Sequence, residues 1–310
     1  MIPIAYRSVP MRLKPREVKM SVTQLSDTKS VVHHPAVVLS NKHLLPEGAE
    51  GLDEVRELVL EVKTPDFQCE VGQSIGVLAP MHASSPEPWH LRWYSVADIP
   101  TTSATGNPCF TICVRRHIQK HPDTGIVYKG ITSNYLCDLA PNEPLQITGP
   151  HGIPFEIPKE NDATLILIGA GPGIAPFRAF VKYLHRHAPD WKGMVRVFYG
   201  SRTGLDVLYT NDPHQDVLQY FDQETFEALQ SLSPPPNWAD PIAWDMAYSE
   251  RGDELLALLD SPKTYVYVAG LKAIGEHLDK MFGALTGSPS KWAQQKAALS
   301  AQKRWVELLY

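Results

Sequence analysis

The stretch that decides the fold is Thr164–Arg178, TLILIGAGPGIAPFR. Thr164 to Ile168 is a continuous apolar run, the pattern of a strand buried on both faces of a parallel sheet. It passes through Gly169-Ala170-Gly171-Pro172-Gly173 into a helical period. Pro176 sits where a first helical turn accepts proline, and Phe177, Phe180, Val181 and Leu184 fall at i, i+3, i+4 and i+7. Bare backbone and the positive end of a helix therefore converge on one turn, a place for an anion such as a dinucleotide diphosphate. The spacing is G-x-G-x-G, which is neither the G-x-G-x-x-G of the Rossmann fingerprint nor a Walker loop with its Lys-Ser or Lys-Thr. A purely structural tight turn is the alternative reading.

C-terminal to this unit, Val195 to Tyr199 reads as a second strand and Thr264 to Val268 as a third. An apolar helix starts at Leu255, and another carries Ile274, Leu278, Met281, Phe282 and Leu285 on one face. Alternating strand and helix imply a doubly wound parallel α/β domain with its ligand at the carboxyl ends of the strands. N-terminal to it, the polar linker Lys159-Glu160-Asn161-Asp162 marks a boundary. From 31 to 158 short apolar or alternating runs are bounded by Gly, Pro, Asn and Asp: Glu57 to Val62, Gln73 to Leu78, Phe110 to Arg115 and Leu145 to Thr148. Only Ser133 to Leu139 looks helical there. This half reads as an antiparallel barrel or sandwich, and the organisation expected is a tail over 1–30, a β-barrel domain over 31–158 and an α/β domain over 159–310.

Composition bounds the rest. A chain of 310 residues with 43% apolar and 20% charged residues is neither disordered nor a coiled coil, and its length suits about two domains. The 27 prolines, about 9% against a usual ~5%, favour short strands and turns. A formal charge of −5 gives no global basic field for nucleic acid. Cys69, Cys109, Cys113 and Cys137 form no C-x-x-C pair and no iron–sulfur ligand set, so no metal cluster is expected. No apolar run reaches membrane-spanning length and the N-terminus lacks the apolar core of a secretory signal, which makes a cytoplasmic setting the expectation. Residues 1 to about 30 carry Arg7, Arg12, Lys14, Arg16 and Lys19 against Glu17 in the first 20. They read as a flexible tail, a docking arm for an acidic partner, or the product of start-site choice among Met1, Met11 and Met20.

Seven segments in order resemble one family. They are Gly72–Gly76 (GQSIG), Arg92–Ser95 (RWYS), Gly130–Leu136 (GITSNYL), Gly149–Gly152 (GPHG), Gly169–Arg178, Tyr265–Lys272 (YVYVAGLK) and the terminal Arg304–Tyr310. Together they are similar to plant-type ferredoxin–NADP(H) reductases over roughly residues 50 to 310. The resemblance implies an FAD-binding barrel followed by a nicotinamide dinucleotide domain. It implies hydride transfer from NADPH to FAD, followed by single-electron release to a ferredoxin or flavodoxin. Such chemistry resides in the cofactor, so the protein needs anchors and stacking faces more than acid–base pairs.

By the same resemblance Arg92 pairs with the FAD diphosphate, for which a guanidinium fork is better suited than an ammonium. Tyr94 lies against the flavin ring and Ser95 near its N5. Gly130, Thr132 and Ser133 serve the phosphates from the start of a short helix, where the bland reading of Ser133 is a plain N-cap. Cys113 and Arg115 stand on the strand whose basic residue reaches toward the nicotinamide dinucleotide. Gly171, Pro172 and Gly173, with Gly270 and Leu271, cradle that dinucleotide. Tyr310 covers the opposite flavin face until nicotinamide displaces it, which makes Ser95 and Tyr310 the catalytic candidates.

Four departures from the family pattern stand out. Ala269 replaces a cysteine beside the nicotinamide. Leu308 replaces a glutamate two residues before the terminal tyrosine, and Glu307, one residue off in an extended segment, points to the other face. Pro172 replaces a threonine, leaving backbone amides to hold the diphosphate. Ser249-Glu250-Arg251 runs straight into the helix from Leu255 without the family's Lys-x-Tyr. Arg202 and Arg251 remain to clasp a 2'-phosphate, so NADPH is the expected donor, with NADH left open by Glu250. Two rival functions accompany this reading: the reductase component of an oxygenase system, and a redox sensor that holds flavin and nucleotide without turnover. His33 and His34 are read as part of the mobile N-terminal region, and His185 and His187, two apart on a helix, as solvated. Pro234-Pro235-Pro236 lies in a polar stretch read as a surface connector.

Overall fold

The computed structural model describes residues 32–44, 54–121, 124–152, 155–170, 173, 175–201, 226–232, 252–270 and 272–309. Seven strands form an antiparallel sheet: β1 (His33–His43), β2 (Val55–Val62), β3 (Ser74–Pro80), β4 (Trp89–Ser95), β5 (Thr101–Thr102), β6 (Pro108–Arg115) and β9 (Pro144–His151). Their order is β4-β3-β9-β1-β2-β6-β5, with every paired neighbour antiparallel. The sheet curls until its edge strand β4 meets β6. A bridge joins Val96 to Ile112, and the Ala97 N–H donates to the Thr111 carbonyl at 2.8 Å. Alternation places Leu58, Leu60, Ile75, Val77, Ile112 and Ile147 inside, all fully buried. This is the antiparallel barrel.

Helix α1 (Ile131–Asp138) plugs the barrel with Leu136 and Cys137, and a small hairpin, β7 (Ile118–Lys120) with β8 (Val127–Lys129), precedes it. Asn41 on β1 fixes the far end of the plug, its amide donating to the carbonyls of Leu136 (3.1 Å) and Leu139 (2.7 Å). His33 and His34 correct the sequence reading. They open strand β1 opposite Thr148 and Ile147, and the His34 ring bonds Thr64 at 3.1 Å and meets Phe67 edge-on at 5.0 Å. Two histidines and Pro35 carry no apolar alternation, so the strand's first turns of pattern are silent in sequence.

The second sheet is parallel throughout: β10 (Thr164–Ala170), β11 (Val195–Ser201), β12 (Phe226–Leu232), β13 (Thr264–Gly270) and β14 (Trp305–Leu309), in the order β12-β11-β10-β13-β14. Strand β10 is central, and its continuous apolar run is explained by burial on both faces. Leu165 and Leu167 pack on α2 (Ala175–His187), while Ile166 and Ile168 pack on the layer formed by α3 (Gly252–Asp260), α4 (Lys272–Leu285) and α5 (Pro289–Ala301). Between β9 and β10, residues 159–162 form bends and a turn, the Ala163 N–H reaching the Glu160 carbonyl at 3.1 Å.

Barrel and parallel sheet share one core. Val55, Val71, Cys113 and Phe155 from the first half pack with Phe177, Phe180 and Tyr267 from the second. The Tyr267 hydroxyl donates to the Glu156 carbonyl at 2.9 Å, and Phe155 stacks on Phe177 at 6.2 Å. A polar clasp reinforces this seam. Arg178, 8% exposed, donates to the Ala97 carbonyl (3.2 Å) and Asp98 (2.8 Å), and Lys182 reaches the same Asp98 oxygen at 2.7 Å. The residues just beyond β4 are thereby gripped by α2.

Candidate functional site

Edge strand β4 carries most of the first cluster. Its register sets Ile75 against Tyr94, Val77 against Arg92 and Ala79 against His90. Directly opposed residues share a face, so His90, Arg92 and Tyr94 line the face that holds the barrel interior. Tyr94 is half-buried against the barrel core. Arg92 is exposed; its guanidinium donates to the Leu91 carbonyl at 2.9 Å, and no carboxylate among the described residues lies within ion-pair distance of it. Ser95, at the end of the strand, has a buried hydroxyl with no hydrogen-bond partner in the structure. Trp93 belongs to the other face, where it is 53% exposed and stacks on His151 at 5.2 Å.

The N-terminus of α1 faces the same strand. Gly130, its N-cap, supplies no side-chain cap, so the first-turn amides have no side chain folded over them. A Cβ at Gly130 would lie 2.9 Å from the Ser133 hydroxyl and 3.0 Å from the His117 Cβ, which explains the glycine. Thr132 is fully buried and tied to His90. The Ser133 hydroxyl accepts from the His117 N–H at 3.1 Å, so its lone pairs serve the turn before the helix. Thr132 is thus brought to β4 beside His90, on the face that also carries Arg92 and Tyr94, while Ser133 faces the turn at His117.

Two residues that hold this arrangement escaped the sequence reading of roles. Asn134, 8% exposed, donates to the carbonyls of His117 (2.9 Å) and Gly130 (2.7 Å) and accepts from Arg116 at 3.2 Å. Arg116 is held in turn by Glu54 at 2.6 Å and Asp138 at 2.8 Å. The signal was present: an Asn inside a helix competes for backbone groups and asks for a local explanation. The electrostatics are cationic. The His90 and His117 rings lie below the ordinary histidine pKa, first because burial disfavours their charge and second because Arg92 and Arg115 repel it.

The second cluster lies at the carboxyl ends of β10 and β13. Gly173 is pressed against β13, where a Cβ would stand 2.4 Å from the Ala269 carbonyl oxygen and 3.4 Å from the Gly270 Cα. Gly270 itself has φ +143°, a conformation that favours glycine. The bare backbones of the glycine turn and of β13 therefore meet. Cys113 and Arg115 lie on the face of β6 opposite Val114. Cys113 is 6% exposed in the core shared with α2, away from the Arg92 face of the barrel. Gly171, Pro172, Arg202, Ser249, Arg251, Leu271 and Tyr310 lie outside the described residues.

Comparison with known proteins places this geometry. Residues 167–280 match the family model described as an oxidoreductase NAD-binding domain, so the parallel sheet belongs to an oxidoreductase of the nicotinamide-binding class. The chain is 31% identical over 275 residues to the ferredoxin–NADP reductase of a Spirulina species, covering 86% of this chain and 92% of that protein. It is 32% identical over 311 residues to the chloroplastic leaf isozyme 2 of Oryza sativa ferredoxin–NADP reductase, covering 94% and 81%. The ferredoxin–NADP+ reductase structure from Plasmodium falciparum shares the fold, with a TM-score of 0.65, 20% identity and coverage of 89% and 95%. The chain belongs to the ferredoxin–NADP reductase family.

Proposed function

We propose that this chain is an FAD-dependent reductase that takes a hydride from NADPH and delivers electrons singly to a ferredoxin, with flavodoxin as a second carrier. The observation that carries the reading is the set of polar groups on β4 and at the start of α1: the Arg92 guanidinium, with no carboxylate near it among the described residues, the orphaned Ser95 hydroxyl and the N-terminus of α1 without a side-chain cap. A buried hydroxyl is ordinarily satisfied, and an exposed guanidinium beside bare helix amides attracts anions, so this combination suits a bound group that is itself anionic and rich in acceptors. FAD fits it, and when bound supplies the conversion between two-electron and one-electron transfer.

The chain's own residues bind, orient and shield. Arg92 forks onto the diphosphate, and the first-turn amides of α1, from Gly130 through Thr132 to Ser133, add dipolar attraction. Tyr94 offers its ring as a stacking face, and Ser95 holds a proton toward the reacting edge of the ring system. Gly173 and Gly270, with Gly171, Pro172 and Leu271, let the nicotinamide dinucleotide approach the backbone at the ends of β10 and β13. Arg115, Arg202, Ser249 and Arg251 are assigned to its phosphates, Cys113 to the wall behind them, and Tyr310 to the ring face opposite Tyr94. The described helices include none long and apolar enough to cross a membrane, and none of the four cysteines is in a disulfide, which suits a reducing, cytoplasmic setting.

The purified protein should be yellow. Anaerobic NADPH should bleach it within seconds, and added ferredoxin should restore the colour. A yellow protein that neither NADPH nor NADH bleaches would instead be a sensor, and one bleached but reoxidised by a single dedicated carrier would be an oxygenase reductase.

A further inference from the structure

His90 stands apart from every residue given a role above, yet it shares the Arg92 face of β4. Its bonding can be worked out atom by atom. The Thr132 hydroxyl donates its one proton to the His90 carbonyl at 2.9 Å, so the 2.7 Å contact between that hydroxyl and Nδ1 requires Nδ1 to be the donor. The neutral ring is therefore the Nδ1–H tautomer, and Nε2 is left with its lone pair, which makes no hydrogen bond to any other described residue. Thr132 is fully buried on α1, so the ring is clamped between the strand that bears Arg92 and the helix whose first turn lacks a side-chain cap.

From this geometry we infer that His90 is a third anchor of the flavin dinucleotide, with Nε2 contacting the segment where the sugar hydroxyls join the diphosphate. The inference rests on the FAD reading above and assigns this chain a binding atom that reading does not use. As a neutral ring, Nε2 accepts from a sugar hydroxyl. Once protonated, it donates to a diphosphate oxygen.

The two states predict a pH dependence. β3 faces the ring with Ala79 and α1 with Thr132, and Arg92 is the charged group that acts on it. Burial and then the Arg92 charge keep the free ring below the ordinary histidine range. A diphosphate seated on Arg92 cancels that repulsion and adds attraction, so the ring's pKa is higher in the complex than in the free protein. Protonation then favours the complex. Affinity for FAD is lowest above the complex's pKa and rises as pH falls toward the free protein's, by no more than about tenfold per pH unit for one proton.

The test is a fluorescence titration of FAD into the flavin-free full chain between about pH 7.5 and pH 5.5, for the parent, His90→Gln and His90→Ala. The parent should bind several-fold more tightly at the acid end. His90→Gln, which keeps a donor for Thr132 but cannot titrate, should bind with a flat profile, and His90→Ala should bind several-fold more weakly throughout with an unchanged unfolding temperature. A flat parent profile, or a slope that survives in His90→Gln, overturns the inference while leaving the FAD reading intact. A parent that takes up no FAD at any pH removes that reading and this inference with it. Should His90→Ala fail to fold, the comparison of the parent with His90→Gln decides alone.

Discussion

Replacing Arg178 by methionine tests the clasp that joins the two halves. The substitution keeps the apolar length of the side chain and removes a guanidinium that donates to the Ala97 carbonyl at 3.2 Å and Asp98 at 2.8 Å and lies 3.6 Å from Glu57. Removing one member of a buried ion pair costs about 3 to 5 kcal/mol when its partner is left uncompensated. Here Asp98 keeps Lys182 at 2.7 Å and its side chain is 24% exposed, so the expected loss is smaller, about 2 to 3 kcal/mol. The pH dependence has a definite sign. Burial raises the Asp98 pKa, but the Arg178 charge and the Lys182 hydrogen bond outweigh it and hold the carboxyl below its ordinary range. A carboxyl depressed in the folded state stabilises the fold above its unfolded pKa and loses that contribution as pH falls through the folded one. The gap between parent and Arg178→Met in urea unfolding should therefore be widest near neutrality and shrink as Asp98 protonates. A second change, Asp98→Asn, should recover part of the loss in the Arg178→Met background. A loss below about 0.5 kcal/mol, within the range of surface substitutions, or a gap that widens in acid, would refute the reasoning.

Three further outcomes follow from particular contacts. Gly173→Ala puts a methyl 2.4 Å from the Ala269 carbonyl oxygen, with backbone on both sides, so it should cost about 1 to 3 kcal/mol and raise the KM for NADPH while flavin content stays unchanged. Ser95→Ala removes a buried, unpartnered hydroxyl, so urea stability should hold or rise slightly, whereas stopped-flow reduction by NADPH should slow by about tenfold if that hydroxyl serves the bound ring. Glu61 is held by Lys63, Thr105, Ser103 at 2.7 Å and Asn107 at 3.1 Å, which lower its pKa to about 2. Its contribution is complete above the ordinary carboxylate range and fades as pH falls toward 2, so acid titration of stability should lose this limb in Glu61→Gln.

How much of this was legible varies with the physics of each element. Strand β10 announced itself because both of its faces are buried, and α2 because one of its faces meets both β10 and the barrel core. Helix α5 did not, since only Trp292 and Leu299, seven residues apart, are buried along it. Its cap is the better signal: Ser288 accepts from the Lys291 N–H, and Pro289 occupies the first turn. At the site, Arg92 and Tyr94 were legible through a four-residue motif, whereas His90, two residues earlier, was not. Its meaning depends on a pairing with Thr132, 42 residues away, that only the closure of the barrel onto α1 produces.

The C-terminal strand shows why a one-residue offset matters chemically. In β14, Leu308 stands opposite Ala269 and Glu307 opposite Val268. Leu308 packs with Ala269 into the core on the α2 side, while Glu307 lies on the face that meets α5. There it accepts from Trp305 Nε1 at 2.7 Å and pairs with Lys296 at 2.6 Å. Lys296 is also bound by Asp279 at 2.9 Å and sits 5.5 Å from the Trp305 ring. Burial alone would lower the Lys296 pKa, but Glu307 and Asp279 raise it, so this ion pair persists across the neutral range. A carboxylate committed to a lysine on one face of a parallel strand cannot move a proton on the other. The Ala269 face is apolar at positions 269 and 308 alike, so the proposed reductase function assigns the proton-bearing role to the Ser95 hydroxyl and not to the C-terminal strand.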